Sequence, residues 1–109
     1  MSYSVKSLEV FERQAKRLVR KYASLKNELR DLSRKLAENP ESGIPLGNHC
    51  FKIRISIASK GKGKSGGGRI ITNFAVKDST VYLLAIYDKS EKETLTDKEL
   101  AELLESISE

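Results

Sequence analysis

The feature that most constrains this chain is a change of hydrophobic period halfway along it. Leu8, Phe11, Ala15, Leu18, Tyr22, Leu25, Leu29, Leu32 and Leu36 recur at steps of three and four, which puts them on one helical face. From Phe51 the period becomes two. Phe51, Ile53, Ile55 and Ile57 alternate with Lys52, Arg54 and Ser56, the pattern of a half-buried strand. A chain of 109 residues has room for one core, so the helical half must pack on the sheet half. The expectation is an α+β fold in a single domain over residues 1–109. One continuous helix of about 30 residues would run ~45 Å, more than so small a domain can cover. The stripe therefore reads as a helical hairpin broken near Ala23 and Ser24, with Ser24 as a cap. Asn39 precedes Pro40 and ends the second helix. Residues 41–47 read as a loop, and residues 3–6 as a short first strand.

Two more strands follow over residues 69–76 and 81–88. The last is apolar on both faces, which marks it as central. Short connections imply an antiparallel meander. Thr96, Asp97, Lys98 and Glu99 form a capping box that opens a C-terminal helix with Leu100, Leu103, Leu104 and Ile107 on its buried side. The expected architecture is a helical hairpin packed on a small twisted antiparallel sheet, with a C-terminal helix.

Charge is laid out in blocks. The net charge is +5, yet residues 52–77 hold seven basic groups and no acid, while residues 78–109 hold three basic and nine acidic groups. Ordinary surfaces mix their signs, so the acid-free tract implies an anionic partner, nucleic acid first. The apolar run at residues 81–87 is too short to span a membrane, and the N-terminus does not read as a signal peptide. The single cysteine, Cys50, suits a reducing cytoplasm. With one cysteine and one histidine, His49, no metal site is expected. Cys50 and His49 are adjacent on a strand and face opposite ways, so they do not read as a nucleophile and its base.

The tract around residues 58–68 imitates a phosphate-binding loop and a dinucleotide fingerprint. Both need a helix directly afterwards to hold the phosphates. Gly66, Gly67, Gly68 and a β-branched strand follow instead, so no nucleotide cofactor is expected. Lys60, Lys62 and Lys64 read better as a grip on a phosphate backbone. Lys52 and Arg54 lie two apart on one strand face, and Arg69 opens the next strand. If those strands pair, the three cations converge.

The order of these pieces resembles a known family. Asn39-Pro40, then Gly43-Ile44-Pro45-Leu46-Gly47, then Lys52-Ile53-Arg54, the lysine–glycine loop, Gly68-Arg69-Ile70-Ile71, and the strand into Tyr87-Asp88-Lys89-Ser90 together resemble the RelE/ParE superfamily of toxins, nearest to its RelE/HigB-type messenger RNA interferases. The resemblance implies a toxin of a type II toxin–antitoxin system that cuts messenger RNA on the ribosome and so inhibits translation. It implies a cognate antitoxin that covers the toxin and represses the shared promoter, so that DNA is met only through the complex. Lys52 and Arg54 match the family's basic pair, and Arg69 matches the arginine opening the next strand. Lys89 and Lys92 stand near the family's last basic residue. Many relatives carry a catalytic tyrosine or histidine where this chain has Leu95 and Thr96, and Tyr87 is the nearest candidate for that role.

In such chemistry the RNA 2′-hydroxyl is the nucleophile. Arg54 and Arg69 would neutralise charge at phosphorus, while Lys52 or Tyr87 would trade protons. Two rival readings are a ParE-like inhibitor of DNA gyrase, which shares the fold without cutting RNA, and a non-catalytic RNA-binding module.

Overall fold

The computed structural model describes residues 2–61 and 66–107. Its elements run β1 (Ser4–Ser7), α1 (Glu9–Lys21), α2 (Leu25–Glu38), β2 (Ile44–Gly47), β3 (Cys50–Ile55), β4 (Gly68–Ala75), β5 (Thr80–Asp88) and α3 (Asp97–Ile107). The sheet order is β1-β5-β4-β3-β2. Helical hairpin, sheet and C-terminal helix are as the sequence implies.

The sheet is larger than the meander and is mixed. β1 lies parallel to β5, with Val5 opposite Val81. β2 is a strand where the sequence suggested a loop. It runs antiparallel to β3 as the exposed edge. Asn48 and His49 turn the β2–β3 hairpin at φ 54° and 60°, the left-handed pair that a two-residue turn requires. Pro45 is tolerated because an edge strand can spare an N–H.

The two faces of the sheet carry separate cores. Phe11, Leu18, Leu25, Leu32 and Leu36 of the hairpin pack on Phe51, Ile53, Ile55, Ile70, Phe74, Val81, Leu83 and Ile86. The other face, with Cys50, Ile71, Leu84, Ala85 and Tyr87, is roofed by Leu100, Leu103, Leu104 and Ile107 of α3. β5 serves both cores through a bulge. Thr72 pairs with Leu83 and Ile71 with Ala85, leaving Leu84 as the extra residue. Leu84 and Ala85 therefore both face α3, and Ile86 turns back to the hairpin.

The capping box forms as expected. The Thr96 N–H donates to Glu99 Oε1 at 3.0 Å, and the Glu99 N–H to Thr96 Oγ1 at 3.1 Å. Ser24 stands at the start of α2 but makes no side-chain cap. Its hydroxyl is 2.9 Å from that of Ser59 and donates to Glu28 at 3.1 Å. Those hydrogen bonds, with the Ala58 N–H on Glu28 Oε2 at 2.8 Å, pin the segment after β3 to the head of α2.

The end of β5 is held by a buried charge. Asp88 is fully buried and accepts from Lys60 Nζ at 2.5 Å, the Tyr22 hydroxyl at 2.5 Å, and the Ser90 N–H and hydroxyl at 2.9 and 2.7 Å. Burial alone would raise its carboxyl. The donors from Lys60, Tyr22 and Ser90 outweigh it and hold the group well below its ordinary 3.8. This contribution is complete at neutral pH and fades as pH falls below the ordinary carboxylate value. Asp88→Asn should cost about 3–5 kcal/mol, because the Lys60 ammonium is then stranded in the interior. A denaturant melt reads this loss, which the double variant with Lys60→Met should largely recover. Asp88→Asn should also flatten the acid side of the stability curve.

Candidate functional site

The strand register decides which candidates meet. Arg54 is the direct cross-strand partner of Arg69, and Arg69 of Tyr87. The three form one row across β3, β4 and β5, spanning two interstrand steps, or about 10 Å. Lys52 lies one pleat along from Arg54 on the same face, opposite Ile71. The convergence of Lys52, Arg54 and Arg69 expected from the sequence is therefore present. Like charges directly opposite on a sheet are unfavourable where nothing offsets them, and Arg69 has further partners beside Arg54.

The row is graded in exposure. Arg54 is exposed and Lys52 half-buried, whereas Arg69 is 5% and Tyr87 7% exposed. Arg69 donates to the Gly68 carbonyl at 3.0 Å. The Tyr87 hydroxyl is buried beneath α3 with no hydrogen-bond partner among the described residues. A buried phenol in that state costs free energy, and it borders the arginine row.

The remaining candidates are placed differently. Lys89 donates to the Glu93 carbonyl at 3.3 Å, and its backbone N–H to the Gly67 carbonyl at 3.1 Å. Lys92 pairs with Glu99 at 2.7 Å, so its side chain anchors α3. That hydrogen bond, with the one from the Thr96 backbone, draws the Glu99 carboxyl down to about 2. The anchorage is therefore full at neutral pH and weakens as pH falls from the ordinary 4.5 towards that value.

Lys60 corrects the sequence reading. Its side chain is 6% exposed and bound to Asp88, with the ammonium 5.6 Å from the Tyr22 ring centroid. It cannot leave that carboxylate for a phosphate without stranding a buried charge. Lys62 and Lys64 lie outside the described residues. The segment after the lysine–glycine loop is strand β4, which removes the helix that a phosphate loop or dinucleotide site would need.

Cys50 is fully buried, and burial pushes its thiol up despite a hydrogen bond from Asn73, so it is a packed side chain with little thiolate character. His49 sits at the hairpin tip, about 16 Å along the strand from the arginine row. Among the described residues no cluster of His, Cys, Asp or Glu could hold a metal ion, and no helix is long and apolar enough to cross a membrane. Asp88 escaped the sequence reading as part of the site. Its only signal was a carboxylate closing an otherwise apolar strand, which demands a buried donor.

Comparison with known proteins bears on the family and the fold. Residues 6–108 match the family model described as RelE toxin of the RelE/RelB toxin–antitoxin system. The fold is similar to the crystal structure of isolated E. coli RelE toxin, with a TM-score of 0.62 at 14% identity, covering 97% of this chain and 99% of that one. A mutant of E. coli RelE in the free state matches at a TM-score of 0.60 and 16% identity, covering 98% and 99%.

Tyr87→Phe removes a hydroxyl that has no partner among the described residues, so the melting temperature should hold or rise. A fall of more than about 4 °C, the shift expected for a loss of ~1 kcal/mol, would show that the hydroxyl is bonded.

Proposed function

The chain belongs to the RelE toxin family, and on that premise we propose that it is a messenger RNA endonuclease acting in the cytoplasm on the ribosome. The observation that carries this reading is the row of Arg54 directly opposite Arg69 and Arg69 opposite Tyr87, with Lys52 one pleat away. A gyrase inhibitor has no need to set two arginines against each other on a sheet. A phosphodiester does: the attacking 2′-hydroxyl, the phosphorus and the leaving 5′-oxygen must be lined up while negative charge grows between them.

In this mechanism Arg54 and Arg69 supply forked, permanently charged donors to the phosphoryl oxygens. Lys52, one pleat from Arg54, takes the proton of the 2′-hydroxyl. Tyr87 donates to the 5′-oxygen as it leaves. Attack forms the new O–P bond, the P–O5′ bond breaks, and the products are a 2′,3′-cyclic phosphate and a free 5′-hydroxyl. No cofactor takes part. Lysine, arginine and tyrosine as residue types are not matched to neutral pH, so the reaction on free RNA is slow, and the ribosome contributes by orienting the strand. Tyr87 lies under α3, so a productive complex requires movement of that roof.

The partner in storage is an antitoxin. A groove of about 580 Å³ between α1 and α2 has Phe11, Ala15, Val19 and Leu29 in its lining and Lys16, Arg20, Lys26 and Arg30 beside them. That combination suits an acidic amphipathic segment. Any contact with promoter DNA would be made through this complex.

Inducing the chain and mapping messenger RNA ends tests the reading. Arg54→Ala and Arg69→Ala should each lower cleavage by ~10²–10³. Growth arrest with intact messenger RNA and broken DNA would assign the chain to gyrase poisons instead. Lys62→Gln with Lys64→Gln should reduce the salt-dependence slope of RNA binding by ~0.7 for each phosphate no longer held.

A further inference from the structure

β2 covers the edge of β3 only as far as Lys52, which faces Ile44. Beyond that point the edge of β3 is open, and the last turn of α2 comes alongside. A cleft of about 350 Å³ results, lined among others by Lys35 of α2 and by Lys52 and Arg54 of β3. Gly43 borders it at φ +106°. A Cβ there would lie 2.7 Å from the Lys52 carbonyl oxygen, so only glycine lets the chain hug the strand.

Among the described residues no acid lines this cleft, and Lys35, Lys52 and Arg54 form no ion pair. Other cations near a carboxylate are paired: Arg17 and Lys21 with Glu91, Lys60 with Asp88, Lys92 with Glu99. A lysine in the last turn of α2 also suits the helix dipole, but that does not account for two further cations in the same cleft. Arg54 belongs both to the cleft and to the row with Arg69 and Tyr87. The cleft lies on the hairpin side of the sheet, with Leu32 and Ile53 in its lining, so a ligand leaving the row reaches it by passing round the open edge of β3 at Arg54.

We propose that Lys35, with Lys52 and Arg54, forms a phosphate subsite that holds the RNA backbone at the sheet edge, one step outward from the bond to be cut. This rests on the sheet face being the cleavage site. Lys35 acts by binding and does no chemistry. An acidic protein segment is the less fitting occupant, because this cleft is smaller and its apolar lining is limited to Leu32, Ile44 and Ile53, whereas the groove between α1 and α2 offers a wider apolar floor.

The test uses a short 2′-O-methyl RNA, which lacks the nucleophile and so reports binding alone. Its affinity is measured across a salt series for the full chain, Lys35→Gln, Lys35→Arg and Arg34→Gln. Arg34 is exposed on the same helix, a turn of about 100° away, and controls for the removed charge. Lys35→Gln should lower the log–log slope by ~0.7, while Lys35→Arg and Arg34→Gln keep it. On messenger-programmed ribosomes Lys35→Gln should raise the concentration needed for half-maximal cleavage and leave the saturated rate unchanged. Equal slopes for Lys35→Gln and Arg34→Gln, or no binding of the RNA by the full chain, overturn the subsite. So does a Lys35→Gln defect confined to capture of the antitoxin, which would make the cleft a protein site. If Lys35→Gln lowers the slope but no form of the chain cleaves on ribosomes, the subsite stands and the nuclease reading falls.

Discussion

The rest of the structure depends on one carboxylate. Asp88 ends the most enclosed strand, and its partners come from three other places: Tyr22 just after α1, Lys60 after β3, and Ser90 in the turn beyond β5. Asp88 is also the ladder partner of Gly68, so the start of β4 is fixed with it. One residue back from that fixed point stands Tyr87, and one residue on from Gly68 stands Arg69. The group that ties the helices to the sheet thus sets the geometry of the row. Arg17 and Lys21 gather on Glu91 close by, but these pairs are open to water, where such pairs contribute little.

Against this anchor stands a conflict. Arg54 and Arg69 face one another, and beside them a phenol is buried without a partner among the described residues. The buried phenol works locally against stability, and it stands in the same row as two opposed arginines, of which Arg69 has further partners. Proteins keep such conflicts where a ligand or a transition state relieves them. The α3 roof adds a second layer. It buries the Tyr87 end of the row and leaves Arg54 open, so access to the row is graded from the β3 edge inward.

Much of this was legible in the sequence because it is periodic. The hairpin, the strand with Lys52 and Arg54, and the box of Thr96 and Glu99 follow from spacing alone, since each is a local pattern. What was hidden is non-local. Ser4–Ser7 gave only a hint of a strand and nothing to show that it would lie parallel to a segment more than seventy residues away. Pro45 made an edge strand look like a loop. Lys60 sits in a glycine–lysine tract that reads as solvated, and only the fold reveals a buried acid 28 residues on. Lys35 looked like one more cation on a basic helix until the open edge of β3 came beside it.

The bulge at Leu84 has a consequence for how this surface could arise or disappear. Along β5, Val81 and Leu83 face the hairpin, whereas Tyr87, the same parity, faces α3. The inversion comes from the single unpaired residue between them. Deleting Leu84 would only remove the bulge and leave Arg69 opposite Tyr87, whereas a regular ladder that kept Leu84, paired with Ile71, would swing Tyr87 into the hairpin core, away from Arg69, with every basic residue of the row still in the chain. The chemistry of this surface is thus written partly as a count, odd or even, and a slip of the ladder by the one residue it now skips, with no reactive group changed, would be enough to dismantle it.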